Sequence, residues 1–451
     1  MILRRASYRL LPIIGVALLA LAACKEDLAG GCASPSLCPG QTLEVHDTIL
    51  VASEVIDTAV VVSGMPPLGT ETGLLVARYA DAFGDSVVSG AVLRFDSLRR
   101  AFPPTDTTMP GKPVVSISAA SLHFTATPDT SLIRDSVRFE VIDVDANVPD
   151  LDTATIHHLF DTRPALGTLN VKKDSIAIAH VVPLDTTFIR QHVTTGTRIR
   201  LGVRVFSYGN DSTDKVAIAI TPATSSTAAT TGSTGSSLVY VGHAAVADTV
   251  DSLTFTNFSV SRSSGGPEFR YLANYQLVLK GSPAAPPGVL AVGGLPSNRV
   301  YLRFDLPSAL IDSSTTIVRA SLILHQRADT SFADADSLTL TPRVVIASPI
   351  VTDISKAALL LADATTIPLI GVRVNPNQVR SDTIALVSRA SSIVSLWRAE
   401  GSAVQRAIVL QSSAEGRDPR RFLIYTNTAL PDTLRPRLHL TYIPRSGFGL
   451  P

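Results

Sequence analysis

Two stretches of the chain carry the same short motifs in the same order, and a chain that repeats itself in this way is committed to building one architecture twice. Leu93-Arg94-Phe95-Asp96 is matched by Leu302-Arg303-Phe304-Asp305, and Ala120-Ser121-Leu122 by Ala320-Ser321-Leu322. Asp135-Ser136-Val137 then pairs with Asp336-Ser337-Leu338, and Asp174-Ser175-Ile176-Ala177-Ile178 with Asp382-Thr383-Ile384-Ala385-Leu386. Each copy closes on an alternating run, Val216 to Ile220 in the first and Leu438 to Tyr442 in the second. Between them, residues 221–237 hold no charge and no large apolar side chain, the composition of a flexible tether. At 451 residues the chain also exceeds what one hydrophobic core usually organises.

The repeated runs are strands. Val137-Arg138-Phe139-Glu140-Val141, Ile199 to Val205 and Ser337 to Thr341 alternate apolar with polar residues, so one face is buried and the other wet. Asp, Ser, Thr, Gly and Pro clusters at Pro103 to Asp106, Gly209 to Asp211 and Pro431-Asp432 mark tight turns, the spacing of antiparallel sandwiches. Helix is expected in only two places, Ser355 to Asp363 and Ser392 to Arg398. The expected fold is all-β: two tandem antiparallel, jelly-roll-like β-sandwiches. Aromatics make up only 6%, against the girdled pattern of a membrane β-barrel.

Ahead of the strands lies an address. Arg4, Arg5 and Arg9 precede an apolar run from Leu10 to Ala23 that is shorter than the ~20 residues of a membrane span. The run ends in Leu21-Ala22-Ala23-Cys24, which resembles the lipobox of bacterial lipoproteins. That resemblance implies cleavage before Cys24, lipidation of Cys24 and a stable membrane tether. Lys25-Glu26-Asp27 is similar to the short signal that directs lipoproteins to the outer face of the outer membrane in Bacteroidota-like bacteria. Cys32 and Cys38, six positions apart in a Gly/Pro-rich turn, are candidates for a local disulfide, because an exported chain with two spare thiols pairs them. The expected organisation is a signal peptide over 1–23, a tether over 24–44, a first sandwich over 45–220, the linker over 221–237, a second sandwich over 238–445 and a tail over 446–451.

In the second half, Arg299 to Pro307, Ile317 to Leu324 and Arg435 to Tyr442 resemble the DNRLRE-type jelly-roll domain of bacterial surface proteins, with Trp397 where that family carries a late tryptophan. The eponymous hexapeptide is missing. The first half, with Gly73 to Tyr79 leading to Phe83-Gly84-Asp85, is similar to an uncharacterised family of Bacteroidota surface lipoproteins. The first resemblance implies a carbohydrate-binding module for acidic or neutral polysaccharides, and neither family supplies a binding residue that transfers here.

The residues themselves offer few sites. Tyr271 and Tyr275 lie outside the repeated series, as on a loop or sheet edge, and are candidate sugar-stacking platforms; cross-strand packing is the competing reading. Trp397, flanked by Ile393, Val394 and Leu396, reads as a buried anchor. Asp143, Asp145, Asn147, Asp150 and Asp152 gather the hard oxygen ligands that calcium needs, although Val148 and Ala154 break the EF-hand pattern and, in a chain rich in aspartate throughout, a solvated acidic turn is the stronger reading. His157-His158 lacks a third ligand at metal spacing and reads as a polar strand end. Apart from calcium no cofactor is expected. No Gly-x-Ser-x-Gly elbow, His-Glu-x-x-His, phosphate loop or dinucleotide fingerprint is present, so an enzyme is not expected. A net charge of +1 argues against a nucleic-acid partner. The expectation is a lipid-anchored outer-membrane binding module facing the cell exterior, for polysaccharide or, alternatively, for a surface-protein partner; a polysaccharide-degrading enzyme is the third and weakest reading.

Overall fold

The computed structural model describes residues 46–50 and 56–444, except 65–67, 70, 72, 81–85, 97, 104–110, 129–131, 134–135, 177–178, 208–214, 222–234, 245–251, 260–273, 308–309, 311–314, 333–336, 349, 363–370, 380, 386–392 and 401–404. Cys24, Cys32, Cys38, Tyr271 and almost all of the expected linker lie outside the described residues. The fold is all-β, with two large antiparallel sheets, one of them curled into a half-barrel.

The first sheet is built from β3 (Leu74–Ala80), β4 (Ser86–Phe95), β5 (Val114–Pro128), β6 (Ser136–Asp143), β7 (Ala165–Lys172), β8 (Ala179–Pro183), β9 (Ile199–Ser207), β10 (Val216–Ile220), β11 (Ser237–Ala244), β12 (Ser252–Phe258) and β13 (Tyr275–Lys280). Its order is β12-β11-β5-β10-β3-β4-β9-β6-β7, with β13 added to β4 and β8 to β5. The second sheet takes β14 (Val289–Gly293), β15 (Asn298–Phe304), β16 (Thr315–Arg327), β17 (Leu338–Val344), β18 (Val372–Val374), β19 (Ser381–Ala385), β20 (Ala407–Ser412), β21 (Arg421–Tyr425) and β22 (Arg437–Pro444). It is completed by the first two strands of the chain, β1 (His46–Leu50) and β2 (Ile56–Ser63). Its order is β1-β22-β16-β21-β14-β15-β20-β17-β18, with β2 added to β15 and β19 to β16.

Set side by side, every strand of one sheet has its counterpart eleven strands away in the other. The duplication is therefore real, but its halves are β1–β11 and β12–β22, and each half sends its first two strands to the other half's sheet. This corrects the boundaries expected from sequence. β1 and β2 belong to the second sandwich, and β11, β12 and β13 belong to the first. Alternation shows that a run is a strand but not which neighbour it pairs with, and both misplaced segments are ordinary strands locally. The expected closing strand is corrected in the same way. Leu438 and Leu440 face Leu322 and Ala320, just as Leu238 and Tyr240 face Leu122 and Ala120, so β22 corresponds to β11 and not to Val216–Ile220.

Pairing is dictated by the alternation. In β17 the side chains alternate strictly between buried and half-buried, with Leu338 and Leu340 inside. In β9, Ile199, Leu201, Val203 and Val205 enter the first core with Phe124, Phe139 and Tyr240. The second core gathers Leu302, Phe304, Leu322, Trp397, Leu410 and Phe422, and includes Ile56 from the N-terminal arm. Trp397 is buried there, its ring 5.4 Å from that of Phe304, as an anchor should be. The halves meet through Tyr79, Val87 and Ala217 on one side and Leu295 and Phe332 on the other. Residues 47–451 form one compact unit.

Among the described residues four α-helices lie on these sheets: α1 (Thr153–Thr162), α2 (Thr186–Thr195), α3 (Ile354–Ala357) and α4 (Ile393–Glu400). The last two fall in the expected places. α1 corrects the strand-end reading of His157-His158. Asp152 caps its N-terminus by accepting from the Thr155 amide, and Ile156, Leu159 and Phe160 form its buried face.

Candidate functional site

The outer face of the first sheet carries an arginine row that follows from strand parity. With the odd residues of β9 in the core, Arg200, Gly202, Arg204 and Phe206 stand on the opposite face. On β6, Val137, Phe139 and Val141 enter the core, so Arg138 and Glu140 share that outer face. The antiparallel register sets Arg138 directly beside Phe206 and Glu140 directly beside Arg204. Cross-strand neighbours at this spacing must interact, and they do. Glu140, itself buried, ion-pairs with Arg204 at 2.8 Å and with Arg138 at 2.6 Å.

Phe206 is the hub. The guanidinium carbons of Arg78, Arg138 and Arg204 lie 4.5, 5.2 and 5.6 Å from its ring centroid, all within cation–π range. Arg78, on β3, is exposed. Burial of its stem and the charge of Arg204 hold its guanidinium below the ordinary arginine pKa. Three guanidinium groups thus approach one half-buried ring, with Glu140 ion-paired to Arg138 and Arg204, and the charges of Asp161 and Glu140 acting on Arg78. Arg78, the exposed member, offers a planar, forked donor to a carboxylate or sulfate group, geometry that lysine does not supply, while Arg138 and Arg204 are paired with Glu140 and add positive charge beside it.

The same face fixes α1 in place. Arg204 donates to the carbonyl oxygens of Phe160 and Arg163 (3.3 Å for the latter), satisfying groups at the helix C-terminus. Four residues earlier, fully buried Arg200 pairs with Asp150 and donates to the carbonyls of Asp145 and Val148 (2.6 Å for the latter). Between the two arginines, Gly202 lets the helix come down onto the strand. A Cβ there would lie 2.8 Å from Ile142 Cγ1 and 2.9 Å from Phe160 Cζ.

This arrangement settles the parts played by the acidic run. The carboxylate of Asp150 faces the Arg200 guanidinium, and Asp152 accepts from the Thr155 amide and hydroxyl as the α1 cap. Asp145 closes a turn by accepting from the backbone and side-chain nitrogens of Asn147 at 2.9 and 3.0 Å. Asp143 is half-buried, and burial raises its pKa. Among the described residues no three His, Cys, Asp or Glu side chains are grouped to hold a metal ion. Within the expected calcium set, Asp150 is thus paired with Arg200, Asp152 caps α1 and Asp145 closes a turn with Asn147.

Tyr275 is likewise a correction. It is fully buried on β13, paired with Val92 of β4 and packed under α1 with Ile156, Phe160 and Leu277. Its hydroxyl faces Asp150, and burial raises its pKa. It reads as a loop residue in the sequence because the strand it stands on belongs to the other half's series. The arginine patch was missed, although the run Val137 to Val141 and the run Ile199 to Val205 both place arginine at alternate wet positions. That two wet faces adjoin is information only the register holds.

No family model matches the chain, and no curated protein matches it. Among solved structures it is similar to "a putative secreted protein from Parabacteroides distasonis ATCC 8503", at 8% identity over 89% of this chain and 100% of that one, with a TM-score of 0.20. It is also similar to a structure of infectious bursal disease virus Gt strain, at 10% identity over 91% and 78% of the two chains, with a TM-score of 0.12. Among the described residues no helix is long and apolar enough to cross a membrane.

Proposed function

We propose that the chain is a non-catalytic, lipid-anchored cell-surface binding module that captures acidic polysaccharide through Arg78, Arg138 and Arg204 around Phe206. The observation that carries this reading is the convergence of three guanidinium groups on one half-buried ring of a sheet face. A polymer bearing a carboxylate or sulfate on each repeat would meet the forked donor of Arg78 with the positive charge of Arg138 and Arg204 beside it, and such binding weakens as salt screens the patch. The lipobox-like Leu21 to Cys24 and the Lys25-Glu26-Asp27 segment support attachment at the outer membrane, facing outward.

The test is affinity electrophoresis of the soluble body, residues 40–451, against uronate-bearing, sulfated and neutral polysaccharides. Retardation by the acidic polymers, relieved by salt and lost in Arg78→Ala, is expected. Equal retardation by neutral polymers, or an unchanged Arg78→Ala variant, would refute it. A second reading, capture of a protein partner, is favoured by one feature. Ile346, Ile350, Leu359 and Leu360 are each more than half exposed, and Ile346 and Leu360 are joined by a backbone hydrogen bond of 2.9 Å.

A further inference from the structure

Each half of this chain completes the other by donating strands. β2 lies along the whole of β15, pairing Ser63 with Asn298 through Ile56 with Phe304. It does so because the β14–β15 hairpin splays: those strands pair only at Gly293 and Asn298, leaving the edge of β15 open. β13 performs the same service for β4, whose pairing with β3 covers only Ala77 to Ala80. The arm is fastened by Ile56 and Val62, both buried, and by the Asp57–Arg303 ion pair at 2.6 Å.

The two arms differ in one respect. β12 and β13 are joined to described strands of the fold on both sides, by β11 and β14. β2 leads into β3 through residues 64–73, and before β1 there is no further strand among the described residues. An arm that enters the described fold through one connection reaches a second copy of its acceptor when that connection extends, and its strand pairs with the acceptor are the same in either case. What separates the two forms is the effective concentration that a short connection confers, of millimolar order.

We propose that the N-terminal arm, β1 and β2, also seats on β22 and β15 of a second copy of this chain, giving a closed dimer in which two copies exchange arms. The intramolecular and exchanged forms share every strand pair, so dense packing of the chain, or refolding at high concentration, shifts the population toward the dimer.

The test uses the full chain with Cys24, Cys32 and Cys38 replaced by serine. Thr58 and Arg303 stand directly opposite each other across β2 and β15, and both reach the surface. One preparation carries Thr58→Cys, a second carries Arg303→Cys, and a size tag distinguishes them. The two are unfolded together, refolded as a mixture and oxidised. A disulfide joining the two chains is expected, with its dimer-to-monomer ratio falling about tenfold on tenfold dilution, as mass action requires. A control mixture of Thr58→Cys with Val318→Cys, exposed on β16, should give none. Absence of the mixed dimer at every concentration, or equal yield from the control, would overturn the proposal.

Discussion

Replacing Ile56 by alanine tests the crossed topology directly. Ile56 is fully buried, pairs with Phe304 and belongs to the core that holds Trp397. Truncation removes three methyl or methylene groups, each worth about 0.8 kcal/mol of transfer free energy, and leaves a cavity beside Phe304. The combined cost is about 3 kcal/mol, within the usual range for such changes. The assay is equilibrium urea unfolding followed by tryptophan fluorescence, because Trp397 is the single tryptophan of the chain. With a denaturant slope of about 3 kcal/mol/M, the Trp397 midpoint should fall by about 1 M urea. If β2 instead lay outside the second core, the substitution would open no cavity beside Phe304. An unchanged midpoint in the variant would therefore refute the assignment of β2 to the second sheet.

Three further outcomes are expected. Arg200→Ala strips a fully buried carboxylate of its partner and should cost about 3–5 kcal/mol by thermal or chemical unfolding, while adding calcium or a chelator to the unsubstituted protein leaves its melting temperature unchanged. Gly202→Ala should lower stability by about 1–3 kcal/mol, because its methyl group meets Ile142, Val144 and Phe160 at 2.8–2.9 Å; differential scanning calorimetry measures this. Burial lowers the pKa of His123, His192 and His325 from 6.5, so the unfolded chain binds more protons than the folded one just below that value. Stability should then fall as pH drops through 6.5 toward the lowered folded values; a melting temperature that rises over that interval would contradict it.

Much of the fold is written locally. Alternation identifies β6, β9 and β17, and the Leu-Arg-Phe-Asp and Ala-Ser-Leu motifs mark equivalent places on β4 and β15 and on β5 and β16. The Asp174 to Ile178 match slipped. Leu122 faces Val182 and Leu322 faces Ile384, so Val182 is the true counterpart of Ile384, a difference that only the pairing exposes. α1 and α2 were legible but passed over. Asp152 and Asp185 stand at their N-caps, Ile156, Leu159 and Phe160 carry helical spacing, and Gly196 ends α2 at a φ of +70°. The site was harder. Neither Arg138 nor Phe206 is distinctive alone, and the chain has 39 Lys plus Arg residues from which to choose. Their meeting is fixed by a cross-strand register some seventy residues apart in sequence, and no local pattern encodes it.

The exchange of arms also sets the order in which the molecule can be finished. A chain is made from its N-terminus, so β2 is among the first strands to emerge, yet β15 follows it by more than two hundred residues and β22, the partner of β1, comes last of all. The run Val60-Val61-Val62 must therefore wait unpaired while the whole first sandwich folds behind it. Contacts this distant form slowly, and an unpaired apolar strand is what foreign edges capture. The first sheet receives its last strand, β13, at Lys280, so a chain interrupted before that point holds neither sheet complete, and one interrupted after it holds only the first.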